Sequence, residues 1–427
     1  KADKILALNK QIIAIEASGV EGANDLRDQR DAILDELSGL IDIDVTENSD
    51  HSVDVYAEGR CLVTLDRTYK MSTANSDTNS DFLIPMWEDD QTEVFNFARV
   101  PSAETGTDVG SLKGLLMTRG GYTPTYADIP VAPVKPVESD YANTADYNTA
   151  YAKYQVDVQQ YEADTYIYNN TVEPYAVSNI IATFDQLIHG IVTGINDVLS
   201  PNKEITLSDG TKMTVLDEEK AGVGLGNGND TIQGTELFTR NGVSRYTDRT
   251  VSVLQEDGTI STTTVKEYNK EDTYTTDPVT GDILIDKTSL YTLGNLQVNQ
   301  ELLSNPSLLP INSKDGGEYQ EITNELLQLW KDDFATLNPN TLINNTFTEY
   351  YATMVDDFAN KGYTYNKIAN TQNNTVNEVN AQRQQVVGVS SDEELSNLIK
   401  FQHAYNASSR YITVVSEMLE TIIDKLG

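Results

Sequence analysis

A change of period constrains this chain more than any other feature. Near both ends, apolar residues recur in alternating steps of three and four, which keeps them on one stripe of a helix. Through the middle they alternate with polar residues at every second position, the period of a strand with one face on a core. At the start, Ile5, Leu8, Ile12 and Ile15 carry the helical rhythm until Ser18-Gly19 ends it. A second helix follows, with Asn24 as its candidate cap and Leu26, Ile33, Leu37 and Leu40 on one side. Arg30 falls on the same seam as Leu26, Ile33 and Leu37. Its stem can lie buried while its head reaches an Asp or Glu on its own or an adjacent helix, although a surface i to i+4 pair is an equal alternative. The first 41 residues thus read as a helical hairpin or a gently broken helix.

After Ile41 the stretches IDIDV, SVDVY and CLVTL alternate with period two, and AEGR separates the last two as a turn. The pattern returns at residues 205-286, where ITLSDGTKMTVL and VSVLQEDGTISTTTV each place Asp-Gly between alternating segments, a strong hairpin signal. Between these regions GSLKGLL begins at Gly110, and Val177, Ile180, Phe184, Leu187, Ile191, Ile195 and Val198 mark a helix with a nearly continuous apolar face. Residues 121-171 differ in composition. Pro124, Pro130, Pro133 and Pro136 favour an extended spacer, and Tyr147, Tyr151, Tyr154 and Tyr161 share a helical face that would pack as a hairpin on the helix at 177-199.

The last 110 residues are helical again, first around Leu326, Leu327, Trp330 and Phe334, then around Phe347, Tyr351, Met354 and Phe358. Tyr365, Ile368, Gln372, Thr375, Val379, Gln382 and Val386 continue the repeat with a polar seam that holds only weakly by itself. Ser391 and Glu394 have capping-box spacing. From there Leu395, Leu398, Gln402, Tyr405, Ser409, Ile412, Ser416, Leu419, Ile423 and Leu426 keep the rhythm to the last residues of the sequence.

The expected fold class is therefore α+β and multidomain. An elongated, coiled-coil-like helical domain made from both chain ends would take residues 1-41, 172-200 and 318-427. Inserted antiparallel β-rich domains would take 42-109 and 201-317, and 121-171 would stand apart as a Pro/Tyr-rich insertion.

Composition narrows the function. With 30 Lys+Arg against 66 Asp+Glu the chain carries a formal charge of -36, which repels nucleic acid and anionic membrane, so neither is an expected partner. Cys61 is the single cysteine and His51, His189 and His403 are far apart in sequence, so no catalytic residue, cofactor or metal site is expected. Residues 225-233, LGNGNDTIQ, match much of a calcium-binding nonapeptide, but in one copy they read as a plain Gly/Asn loop. The clusters Glu88-Asp89-Asp90 and Asp217-Glu218-Glu219 read as solvated surface.

Three stretches, in order, resemble the FlgK family of bacterial flagellar hook-associated proteins: ANDLRDQRDAILDELSGLIDIDV at 23-45, GSLKGLLMTR at 110-119, and GVSSDEELSNLIKFQHAYNASSRYITVVSEMLETIIDKLG at 388-427. The ending alone is also similar to hook and rod subunits. The resemblance implies a structural subunit of the hook-filament junction, exported unfolded by the flagellar type III route to the extracellular flagellum. Its implied partners are the flagellar hook protein, a second hook-associated junction protein, a ring of identical subunits and an export chaperone. It further implies that Leu395, Leu398, Tyr405, Ile412, Leu419, Ile422, Ile423 and Leu426 form an assembly or chaperone interface. Their family partner is a longer N-terminal helical segment, and a start at Lys1 reads as a fragment without it. No family counterpart is expected for 121-171. Another secreted axial protein, or a secreted adhesin binding through its β domains, is the alternative.

Overall fold

The computed structural model describes residues 1-19, 22-76, 80, 82-97, 110-226, 230-255, 258-271, 274-276, 278, 281, 283-387 and 390-426, with side chains for all of these except 285, 386-387 and 422-426. Helices and small antiparallel sheets make it an α+β multidomain fold. It divides into one compact unit of residues 1-101 and 107-361 and a second of 102-106 and 362-427.

The first unit opens with α1 (Ala2–Glu16) and α2 (Asn24–Ser38). Ala23 rather than Asn24 caps α2, without a side-chain cap bond of its own; Asn24 is the first helical residue. Strands β1 (Ile43–Glu47), β2 (Val53–Ala57) and β3 (Arg60–Val63) form an antiparallel sheet in that order. The AEGR turn joins β2 to β3 with Glu58 at φ 50° and Gly59 at φ 80°, the two positive dihedrals a two-residue hairpin with right-handed twist requires. A second pair, β4 (Met71–Asn75) and β5 (Leu83–Trp87), follows. Ile5, Leu37, Ile41, Val55, Leu62, Trp87 and Phe95 build one core from both helices and both sheets, with Leu116 of α3 (Gly110–Arg119) on its edge.

Next come α4 (Thr144–Thr171) and α5 (Ala176–Leu199). Preceding α4, Pro130, Pro133 and Pro136 are half-buried while Val131, Val134 and Val137 are exposed, the three-residue period of a polyproline helix with its prolines turned inward. Val134–Val137 share a groove with Ala150 and Tyr154 of α4. The Tyr147, Tyr151 and Tyr154 rings ladder along that helix at 5.8 and 5.9 Å. The contact with α5 is instead made by Tyr168, which is buried and accepts from Asn179 Nδ2 at 3.2 Å.

Around α5 lie β6 (Asn202–Thr206), β7 (Lys212–Leu216), β8 (Gly224–Leu225), β9 (Thr231–Ile232), β10 (Phe238–Arg240), β11 (Tyr246–Leu254), β12 (Ile260–Tyr268), β13 (Tyr274–Thr276), β14 (Ile283–Ile285) and β15 (Leu296–Val298). Both Asp-Gly hairpins form, with Gly210 and Gly258 at positive φ, and they join as one sheet in the order β11-β12-β7-β6. Past β6 the chain bridges back from Leu207 to Val253, folding the sheet around Met213, Val215, Val251 and Val253. Of the calcium-like loop, residues 227-229 lie outside the described residues. Arg60 pairs with Asp89 and Asp90 at the surface, but Asp217 is buried beside Lys203, because its carboxylate accepts the Glu219 N–H at the end of β7 rather than facing water.

Helices α6 (Gln300–Ser304) and α7 (Gln320–Leu329) precede α8 (Phe347–Val387). The periodicity around Leu326 to Phe334 is cut at Leu329, and Trp330 and Phe334 leave the helix to pack on Phe347, at ring distances of 5.4 and 4.8 Å. The second unit holds the rest of α8 from Gly362 and α9 (Ser391–Leu426).

Candidate assembly surface

The seam residues of α2 face the α1 side. Leu37 is buried, and Leu26 and Ile33 are half-buried. Arg30 is 3% exposed. Its short bond runs from Nη1 to the carbonyl oxygen of His51 at 2.7 Å, with Asn9 Oδ1 at 3.4 Å and the Asp31 carboxylate 3.8 Å from Nε. A backbone carbonyl is thus its main partner rather than a carboxylate, since the β1–β2 loop and not a second acidic helix covers this point. His51 has φ 66°, a left-handed conformation that a non-glycine residue holds only when its surroundings fix it. Asn9 is the buried polar residue that spacing did not single out. Its side chain pairs with both backbone groups of Val53.

Outside that seam, Arg27 ties the helical hairpin shut by bonding both Glu16 oxygens, Nε at 2.9 Å and Nη2 at 2.5 Å, and it reaches Glu47 at 3.2 Å. The Arg27 bond and the Ala23 N–H bond outweigh desolvation and hold the Glu16 carboxyl down to about 2.

In the second unit, Ser390, not Ser391, stands before the first turn of α9, and its hydroxyl accepts from the Glu393 N–H at 3.4 Å. Along α9, Leu395, Leu398, Tyr405, Ile412 and Leu419 are all exposed, Tyr405 by 75%. Phe401, Tyr411 and Met418 are exposed as well, so the apolar surface is wider than the predicted stripe. The side chains of Ile422, Ile423 and Leu426 lie outside the described residues, although their backbone is helical. His403 on the same helix is exposed. Among the described residues no group of His, Cys, Asp and Glu is arranged to hold a metal ion, and no helix is long and apolar enough to cross a membrane.

A long helix that leaves so many apolar side chains exposed is a geometry for joining subunits. Comparison with known proteins gives it a class. Residues 1-129 match the family described as flagellar hook-associated protein FlgK helical domain, and residues 381-425 match the flagellar basal body rod FlgEFG protein C-terminal family. Flagellar hook-associated protein 1 of Bacillus subtilis is 37% identical over 79 residues, covering 18% of this chain and 16% of that protein. Its counterparts from Salmonella typhimurium and Escherichia coli are 35% identical over 81 residues and 33% over 79, covering 15% and 14% of their own lengths. The matched stretch thus spans less than a fifth of each relative. Both matched stretches are thus similar to proteins of the bacterial flagellum. The longer of the two matches, over residues 1-129, is a similarity to the FlgK hook-associated family.

Proposed function

We propose that this chain is a subunit of the hook-filament junction and that α9 is its assembly surface. The observation that carries the reading is the exposure of Leu395, Leu398, Tyr405, Ile412 and Leu419 on one long helix. Such a helix gains most of its stability from packing, and in water alone it is marginal. Ile422, Ile423 and Leu426 are included in the proposed interface from their sequence spacing alone. The proposed division is a helical domain of residues 1-41, 172-200 and 318-427, β-rich parts at 42-109 and 201-317, and an insertion at 121-171.

The partners are the hook protein, a second hook-associated protein and identical subunits in a ring, with an export chaperone shielding α9 before secretion to the extracellular flagellum. The role is structural rather than enzymatic. The test is a stop after Ser390 in the source bacterium. Cells should then make hooks without attached filaments while the truncated protein keeps its β-sheet signal by circular dichroism. Normal filaments from the truncated gene would overturn the reading.

A further inference from the structure

His189 lies midway along α5 where two other segments meet it. Its ring stacks on Tyr126 with centroids 3.6 Å apart and planes 19° from parallel. Its Nε2 lies 3.1 Å from Glu271 Oε2. The Tyr126 hydroxyl donates to that same Glu271 oxygen, so the three side chains close a triangle. One turn earlier on α5, Asp185 accepts the Tyr126 N–H at 2.9 Å with one oxygen and the Leu293 N–H at 2.7 Å with the other. Tyr126 belongs to the first part of the Pro/Tyr insertion, and Glu271 and Leu293 belong to loops of the β-rich region. All lie in the first compact unit.

We propose that His189 is a protonation-dependent latch: as an imidazolium it joins α5 to the base of the insertion and to the β-rich loops by an ion pair, and as a neutral ring it leaves only a hydrogen bond and a stack. The titratable groups around it are Asp185 from its own helix, Tyr126 and Asp128 from the insertion base, and Glu271, Tyr268 and Tyr291 from the β-rich side, with Lys287 acting on Asp128. Burial pushes the Glu271 carboxyl up, but the His189 and Tyr126 bonds outweigh it and hold it below the usual range, so Glu271 is an anion facing the ring. The site is only partly open to water, with His189 23% and Glu271 17% exposed, so the charged contact between them is weakly screened.

Amide exchange reads the latch directly, because the Tyr126 and Leu293 N–H groups close onto Asp185. In the 427-residue chain, protection of 122-129 and 290-296, corrected for intrinsic rate, should fall on the order of fivefold between pH 6 and pH 8.5. His189→Gln keeps an amide donor without the charge and should abolish the step; Glu271→Gln should do the same from the other side and serves if the first variant does not fold. Equal wild-type protection at both pH values, or a step that persists in either folded variant, overturns the proposal.

Discussion

Asn9, wholly buried on α1, closes a two-way hydrogen bond with the backbone of Val53 in β2: Nδ2 donates to the Val53 carbonyl at 2.8 Å and Oδ1 accepts the Val53 N–H at 3.2 Å. One side chain thereby pairs the end of β2 that β3 does not reach, since β3 pairs only from Val55 to Ala57, and it fixes the sheet on the helical hairpin. Asn9→Ala would leave two buried backbone groups unpaired, at about 1–3 kcal/mol each. A loss of about 2–4 kcal/mol in chemical denaturation is expected, with Asn9→Asp intermediate because it keeps the acceptor. A loss below about 0.5 kcal/mol, the range of an ordinary surface change, would show that the bond is dispensable.

Arg30 buttresses that contact from α2. Arg30→Ala removes the donor to the His51 carbonyl and lowers stability by about 1–3 kcal/mol. Arg30→Lys should recover part of it, since a single ammonium can still reach one carbonyl. An unchanged melting temperature and unchanged junction assembly in Arg30→Ala would place Arg30 outside the structural seam.

Close packing predicts a strong effect at Gly190 on α5. A Cβ there would lie 1.9 Å from the Phe334 ring, and Phe334 is held between Phe347 and Tyr350. Despite the better helix propensity of alanine, Gly190→Ala should destabilise by about 1–3 kcal/mol. Pairing it with Phe334→Leu, which frees the space, should restore much of the loss in a double-mutant cycle.

Period and turn chemistry made the element types legible: AEGR became a hairpin with two positive φ values, and both Asp-Gly sites became turns of one sheet. Residues with long-range polar roles left no such trace. Asn9 finds Val53 44 positions away and Asp185 finds Leu293 108 away, so neither periodicity nor local spacing registers them. On α5 the apolar pattern suggested a nearly continuous greasy face, yet Asn179, Asp185, Gln186 and Asn196 are buried on it because neighbouring loops and side chains meet their hydrogen bonds. Caps shifted by one residue at both Asn24 and Ser391, since either of two adjacent polar or small residues can precede a first turn. The exposed surface of α9 is written in its spacing, with Leu395, Leu398, Tyr405, Ile412 and Leu419 all exposed.

Acid should open the hairpin of α1 and α2. The folded Glu16 carboxyl is depressed to about 2, below its unfolded value near 4.5, so its contribution is fully present above that unfolded value and is lost as pH falls from about 4.5 to 2. Glu16→Gln should melt lower than wild type at pH 7, and the gap should shrink through that window. A gap that stays constant down to pH 2.5 would mean that the Arg27 pair does not support the hairpin.

Hydrogen exchange along α9 in the dilute 427-residue chain tests the assembly reading most directly. If α9 is a surface awaiting a partner, residues 391-426 should exchange with little protection while Val53–Ala57 of β2 and the centre of α5 stay strongly protected, and α9 should become protected on incorporation into the junction. Core-like protection of 391-426 in the monomer would contradict it, since the helix would already have its partner.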